Sequence, residues 1–342
     1  MIDPRRLAIV ALCGATAFVA CSAAANLLAI RILAARHPVP GALVDIDGRA
    51  MHIYCVGKGV PTVVLESGAG DDWIYWQKVQ PEAARASRVC AYDRGGLGWS
   101  DPRPGRRDAR AIAADLHRLL AAAGERPPYV MVGASAGALY ARMFAATFPL
   151  DVTGMVFVDG STPEQTRALP GARYTDSAAR QRHRAAAWEW IEMASGWSRL
   201  SGGCHGDVDE GLEQYAALAR AGACRPSLAA SALAEWDDFW HSADEVSGAG
   251  CCGDVPIVIV SQDPYRRKPG WNADAIAAQR IWNDLQEGLK ALSPHSRRII
   301  ARGSGHHVMI DRPEVVVHAI GDVLKASREG ARGAVDRRTI VE

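Results

Sequence analysis

Residues 133–137 read Gly133-Ala134-Ser135-Ala136-Gly137, a G-x-S-x-G pattern. The apolar run Tyr129-Val130-Met131-Val132 comes directly before it, and a helix-forming run over residues 138–148 follows. Strand, G-x-S-x-G and helix in this order are typical of a nucleophile elbow, a turn so tight that its serine adopts strained backbone angles. Small residues two before and two after the serine let the strand and the helix approach each other. We therefore interpret Ser135 as a candidate nucleophile.

The chain on both sides of the elbow alternates between short apolar runs and helical patterns. Asp47-Gly48 is a turn signal that predicts a hairpin over residues 42–57. Further strands are predicted at residues 62–66, 88–92, 155–158, 255–260 and 297–301, and helices at residues 73–86, 110–123, 273–292 and 313–326. This alternation predicts an α/β fold with a mainly parallel sheet and helices on both faces.

The amino-terminal segment, residues 1–37, has a different character. Leu7 to Ile30 is 24 residues without a charge, flanked by arginines on both sides. As a helix it would span about 36 Å, enough to cross a bilayer. We interpret it as an uncleaved membrane anchor. A signal peptide cleaved at Ala23-Ala24-Ala25 and a lipoprotein acylated at Cys21 remain as alternatives, and all three export the rest of the chain.

Charge and cysteine content narrow the function classes. The 39 basic and 38 acidic residues give a net charge of +1, so no charge excess favours nucleic acid. Cys55 and Cys90 fall in predicted strands and are expected to be plain core residues. The sequence has no paired C-x-x-C motif, so we expect no metal site. If the region is exported, a disulfide is expected among Cys204, Cys224, Cys251 and Cys252.

A serine nucleophile needs a base and a group that orients the base, and two later loops offer them. Asp263 follows the strand ending at Val260, and His306 follows the strand at residues 297–301. Both positions lie beyond strand carboxyl ends, where open α/β sheets build their sites. We therefore predict Asp263 as the acid and His306 as the base, with Asp159 as the alternative acid. His306 is preferred to His307 because the glycine before it permits a sharp loop.

These residues resemble the α/β-hydrolase family, over roughly residues 43–324. The stretch Tyr92-Asp93-Arg94-Gly95-Gly96-Leu97-Gly98-Trp99-Ser100 is similar to the family loop D-x-x-G-x-G-x-S, and Gly303 to Glu314 is similar to its G-H-x-x-x-x-x-x-P-E segment. The resemblance implies a serine hydrolase acting on carboxylic esters without a cofactor. Amide or peptide, thioester and C–C bond hydrolysis are alternatives, as is a non-catalytic binding protein. Epoxide hydrolase or dehalogenase relatives would need an aspartate at position 135.

The resemblance also implies an oxyanion hole of two backbone N–H groups, those of Ala136 and Ala69. The sequence departs from the family pattern here, because Ser67 occupies the place of a histidine that often supports the loop. Ala134 likewise replaces the common histidine of G-H-S-x-G. Neither change removes a backbone donor.

Residues 161–254 stand where this family places its cap, between a first core part at residues 38–160 and a second at residues 255–326. We expect a helical lid there, rich in tryptophan. Most of its rings are expected to form its own core, with Trp188, Trp236 and Trp240 as candidates for an apolar acyl pocket. Residues 327–342 are expected to be a frayed polar tail.

Overall fold

The structure is a computed structural model that describes residues 4–169, 176–266, 270–330 and 339–342. Its strands are β1 (Ala42–Ile46), β2 (Arg49–Val56), β3 (Thr62–Glu66), β4 (Val89–Tyr92), β5 (Tyr129–Ala134), β6 (Val152–Val158), β7 (Ile257–Ser261), β8 (Ser296–Ile300) and β9 (Ile340–Val341). Its helices are α1 (Pro4–Arg36), α2 (Gln80–Ala83), α3 (Ala109–Ala122), α4 (Gly137–Thr147), α5 (Gln165–Ala168), α6 (Asp176–Ala194), α7 (Trp197–Leu200), α8 (Ala216–Gly222), α9 (Ser227–Gly248), α10 (Ala273–Gly288), α11 (Val308–Asp311) and α12 (Pro313–Glu329).

The strands form one sheet in the order β1-β2-β4-β3-β5-β6-β7-β8-β9. The pairs β1–β2 and β2–β4 are antiparallel, and every other pair is parallel. The predicted mainly parallel sheet is therefore confirmed. In the parallel part the carboxyl ends of β5, β6, β7 and β8 meet at one edge, which brings the loops after these strands together.

The central strands are buried on both faces, and alternate residues face two different cores. Met131 and Phe157 face a core that contains residues of α3, α4 and α9. Val132 and Val158 face a second core, built with α11 and α12. Burial on both faces explains why these strands read as continuous apolar runs in the sequence.

The hairpin predicted at the amino edge of the sheet is present. Asp47 and Gly48 both have positive φ angles, of 55° and 78°, as a type I′ turn between two strands requires. One prediction for this edge is corrected. Cys55 and Cys90 are directly paired across β2 and β4, with Cα atoms 4.0 Å apart, and form a disulfide rather than remaining plain core residues.

Two predicted segments differ in detail. The helix predicted at residues 73–86 is a 3-10 turn over Trp73–Trp76 followed by the short α2. The break coincides with Pro81 in the first turn of α2, which has no N–H to continue a helix from the 3-10 turn. The described parts of the tail are not frayed, since α12 continues to Glu329 and β9 pairs parallel to β8, while residues 331–338 lie outside the described residues.

The inserted residues 161–254 contain α5 to α9, apart from residues 170–175, which lie outside the described residues. Helix α9 is part of the main body, because Phe239, Ala243 and Val246 are buried in the first core. A disulfide is expected among four cysteines of the insertion. The structure has two, which pair Cys204 with Cys224 and Cys251 with Cys252.

Helix α1 is long and apolar and contacts the insertion. The most apolar 18-residue stretch within residues 5–36 has a mean hydropathy of 2.2, and none of this stretch is buried inside the protein. Asn26 of α1, by contrast, is buried, and its amide donates to the carbonyl oxygens of Met193 (2.8 Å) and Cys224 (3.3 Å). Arg199 in turn donates from Nε to the side-chain oxygen Oδ1 of Asn26, over 2.8 Å.

Candidate active site

The turn at Ser135 has the geometry that the G-x-S-x-G pattern predicts. Ser135 is one of few non-glycine residues with positive φ, at 50°, directly after β5 and before α4. A Cβ atom on Gly133 would overlap the carbonyl oxygen of Gly137, and a Cβ on Gly137 would overlap that of Glu66. Both glycines are therefore required for the strand and the helix to approach, and they present the Ser135 side chain at the sheet edge.

Two other side chains meet Ser135 at this edge. His306, in the loop between β8 and α11, places Nε2 at 2.9 Å from the Ser135 Oγ. Its other ring nitrogen, Nδ1, lies 2.6 Å from Oδ2 of Asp159. Asp159 is fully buried, directly after β6. The three groups form a continuous hydrogen-bonded chain of hydroxyl, imidazole and carboxylate, an arrangement that can move a proton from the serine to the histidine.

The carboxylate of Asp159 is held by further donors. Its Oδ1 accepts hydrogen bonds from the backbone N–H of Gln262 (3.1 Å) and from the indole N–H of Trp282 (3.0 Å). The backbone of Asp159 has a positive φ of 44°, and this turns the chain sharply at the end of β6. These contacts orient the buried carboxylate so that Oδ2 faces His306.

Asp263, the acid that the sequence favoured, does not contact His306. Its Oδ1 accepts from the backbone N–H of Tyr265 (2.8 Å), and its Oδ2 accepts from that of Gly303 (3.0 Å). Asp263 thus ties the loop after β7 to the loop after β8. The prediction of Asp263 as the partner of His306 is corrected to Asp159, the alternative acid. The difference lies in what each carboxylate contacts: both oxygens of Asp263 accept backbone N–H groups, whereas Asp159 is held through Oδ1 and leaves Oδ2 facing His306.

His307 points to a different neighbour. Its ring meets the ring of Tyr75 edge to face, with centroids 5.3 Å apart. The preference for His306 over its neighbour agrees with the geometry, since His306 bonds Ser135 directly.

The two backbone N–H groups implied as an oxyanion hole lie beside the serine. Ala136 follows Ser135 and begins the turn into α4. Ala69 follows Gly68, and a Cβ on Gly68 would lie 3.3 Å from the Cβ of Ser135, so this loop passes close to the elbow. Among the described residues, neither N–H has a protein hydrogen-bond partner. Both are therefore free to donate to a group bound at Ser135.

A cavity of about 460 Å³ opens onto Ser135 and His306, a volume suited to a small-molecule ligand. Of the three tryptophans predicted for a pocket, only Trp236 lines it. Trp188 is 65% exposed on the outside of the insertion, and Trp240 packs against the first core and the ring of Phe239. Two rings that the sequence reasoning missed, Trp271 and Trp282, complete the apolar wall.

Comparison with known proteins agrees with this fold. A family model described as the alpha/beta hydrolase fold matches residues 61–190, which contain β3 to β6 and the serine turn. The chain has the α/β-hydrolase fold. Position 135 of this α/β-hydrolase is a serine, unlike the aspartate that epoxide hydrolase chemistry would need.

Its relatives are distant in sequence. This α/β-hydrolase is 24% identical to the uncharacterized protein YqjL of Bacillus subtilis strain 168 over 291 residues, 84% of this chain and 92% of that protein. It is 38% identical to the putative carbamate hydrolase RutD of Escherichia coli O1:K1 over 103 residues, but these cover only 29% of this chain and 38% of that protein. Among solved structures, a thermophilic esterase from Thermogutta terrifontis superposes with a TM-score of 0.56 at 21% identity, covering 84% of this chain and 98% of that one.

Proposed function

We propose that this α/β-hydrolase is a serine esterase that cleaves carboxylic esters through an acyl-enzyme. The observation that carries the proposal is the hydrogen-bonded chain from Ser135 through His306 to Asp159, which opens onto an apolar cavity. A strained serine, a base and a buried carboxylate in hydrogen-bond contact are the parts that acyl transfer requires.

Each group has one role in the proposed mechanism. Ser135 Oγ attacks the ester carbonyl while Nε2 of His306 accepts the hydroxyl proton. Asp159 accepts a hydrogen bond from Nδ1–H, which fixes the useful tautomer and stabilises the imidazolium that forms. The N–H groups of Ala69 and Ala136 donate to the developing oxyanion. His306 then protonates the leaving alkoxide, and a water molecule releases the acyl group by the same steps in reverse order.

The cavity favours an apolar acyl group. Trp236, Trp271 and Trp282 line it together with Leu169 and Phe239. Burial of alkyl or aryl groups against such a surface stabilises the bound substrate by about 25 cal/mol per Å² of apolar area.

The test is covalent labelling followed by a substrate panel. Purified protein should react with a fluorophosphonate, and it should hydrolyse p-nitrophenyl esters with a preferred acyl length. Matched p-nitrophenyl carbamates, anilides and thioesters separate ester cleavage from the other bond types. Absence of both labelling and turnover would favour a binding protein on a hydrolase scaffold.

His306→Ala is expected to reduce ester turnover by about 10⁴-fold or more, since it removes the proposed base. His307→Ala should stay within about threefold of the wild type, because its ring contacts Tyr75 rather than Ser135. Steady-state kinetics of both variants, each normalised to folded protein by circular dichroism, measure the difference. Equal activity in wild type and His306→Ala would remove the base assignment.

We further propose that α1 is an uncleaved membrane anchor. Its apolar surface is exposed along most of its length, yet Asn26 is buried in polar contacts with the insertion. Trp190 and Ile191 on α6 lie beside residues 15–23 of α1 around a shared apolar groove. Tryptophans commonly lie at the membrane surface, so this side of the insertion would face the bilayer.

Full-length protein is expected to stay in the membrane fraction through a high-salt wash, because apolar insertion is not screened by salt. Deletion of residues 1–37 should release a soluble protein that retains ester turnover, since every proposed catalytic group lies beyond residue 43. Fractionation and amino-terminal sequencing measure this. A mature chain that begins near Asn26 would indicate a signal peptide instead, and one that begins at acylated Cys21 would indicate a lipoprotein.

A further inference from the structure

Four buried charged residues lie directly behind the loop that carries Ala69. Arg94 contacts both Glu66 (2.7 Å) and Glu235 (2.8 Å), and Arg107 contacts Glu235 from the other side (2.7 Å). Each of these side chains is less than 5% exposed. We call Glu66, Arg94, Arg107 and Glu235 the buried ion cluster. Taking so many charges out of water is costly, so a merely stabilising role would be served as well by apolar residues.

The buried ion cluster bonds the loop on both sides of Ala69. Arg94 donates to the carbonyl oxygens of Ser67 (2.8 Å) and Gly68 (2.5 Å), which precede Ala69. Glu235 accepts the backbone N–H of Gly70 (3.0 Å), which follows it. The peptide N–H of Ala69 is thus held between two fixed points, in a loop that lacks the histidine commonly found in this family.

Electrostatics keep Glu235 and Arg94 in their ionised forms, whereas burial raises the pKa of Glu66 to about 7. Burial by itself raises the pKa of Glu235, but Arg94, Arg107 and the Gly70 N–H outweigh burial and hold that pKa below its ordinary value. Burial likewise opposes the charge of Arg94, yet Glu235 and Glu66 raise its pKa well above the usual range. Charge-assisted hydrogen bonds of this kind are short and directional, so they fix the direction of the loop as well as its position.

We propose that Glu235 and Arg94 are positioning residues that aim the Ala69 N–H at the substrate oxyanion. The inference rests on the proposed function, because it assigns a role within that site. It also makes the insertion part of the catalytic centre, since Glu235 belongs to α9. Preorganised donors act on charge that develops only in the transition state. Loosening this loop should therefore lower kcat and leave KM nearly unchanged.

The decisive variant is Glu235→Gln, which keeps size and shape but offers one acceptor oxygen in place of two. The amide NH₂ must then face either Arg94 Nε and Arg107, in place of Oε1, or Arg94 Nη2 and the Gly70 N–H, in place of Oε2, so two donor contacts are lost in either orientation. We expect kcat to fall by about 10²-fold, the range found when an oxyanion-hole donor is removed, with KM within about threefold. Glu235→Asp keeps the charge on a shorter side chain and should lose about tenfold.

The matched control is Glu125→Gln. Glu125 pairs with Arg88 over 2.6 Å and is nearly as buried, at 8% exposure, but it precedes β5 at the end opposite Ser135. This variant should lose stability in the same way while keeping kcat. All rates are divided by active sites titrated to completion with a fluorophosphonate, so that unfolded protein does not count.

A second measurement separates aiming of the donor from general loosening. A trifluoromethyl ketone adds to a serine as a tetrahedral oxyanion, so its affinity should fall in parallel with kcat across the Glu235 variants. Affinity for a product alcohol, which carries no such charge, should be unchanged. Wild-type kcat per titrated site together with unchanged ketone affinity would overturn the proposal. Absence of labelling in the wild type would instead refute the proposed function.

Discussion

Ser135→Ala is expected to abolish ester turnover, with a loss of about 10⁶-fold in kcat, and to abolish fluorophosphonate labelling. In the proposed mechanism, Ser135 Oγ is the atom that forms the acyl-enzyme. The fold should be unaffected, because alanine differs from serine only by the missing hydroxyl and its removal leaves almost no cavity. The substitution removes one hydrogen bond, because among the described residues Oγ bonds only His306.

Steady-state turnover and gel-based labelling of purified protein measure this effect, and thermal unfolding shows that the variant is folded. Ser327→Ala is a suitable control, since its hydroxyl bonds the backbone of Thr153 far from the site. Full activity in folded Ser135→Ala would remove the nucleophile assignment and with it the proposed mechanism.

Asp159→Asn is expected to reduce kcat by about 10⁴-fold, because an amide in place of the carboxylate stabilises the wrong tautomer of His306. The amide oxygen can still accept from Gln262 and Trp282, so the loop after β6 should keep its shape. The matched substitution Asp263→Asn should remain within about threefold of wild type. An amide keeps one acceptor oxygen, so one of its two backbone N–H contacts is lost, but the hydrogen bonds from Ser135 through His306 to Asp159 do not involve this side chain.

The comparison of these two variants is informative in both directions. Kinetics with the same p-nitrophenyl ester, together with the pH profile of kcat, measure the ranking. A larger loss in Asp263→Asn than in Asp159→Asn would return the acid to the loop after β7, as the sequence first suggested.

Most of the fold could be predicted from local sequence signals. The parallel strands are apolar runs with helical patterns between them, and Asp47-Gly48 and the glycines around Ser135 are turn signals with a direct steric cause. Ser135 and His306 follow from the same reasoning, because each lies in a loop just beyond a strand end. Such signals extend over about fifteen residues of chain, so they can be recognised without knowledge of the tertiary structure.

The acid could not be settled in this way. Asp159 and Asp263 both follow a strand, and both lie between Ser135 and His306 in the chain. What separates them is the set of groups that the folded loops bring to each carboxylate, which is His306 at Asp159 and the backbone N–H groups of Tyr265 and Gly303 at Asp263. These contacts form only in the assembled sheet and leave no local mark on the sequence.

Long-range partners were missed for a related reason. Glu235 lies 165 residues beyond the Gly70 N–H that it binds, and within α9 the sequence does not distinguish it from four other acidic residues. The Cys55–Cys90 disulfide depends on the antiparallel register between β2 and β4. Both contacts require two distant segments to be placed side by side before they can be recognised.

The position of Asp159 has a consequence for changing what this protein accepts. With the acid held at the end of β6, the loop after β7 is not required to supply a catalytic group. Gln262 in that loop lines the cavity, and Tyr265 is 77% exposed. A saturation library at Gln262 would therefore vary the wall of the substrate cavity while leaving the reacting atoms in place, which makes this position the natural first target for directed evolution of selectivity.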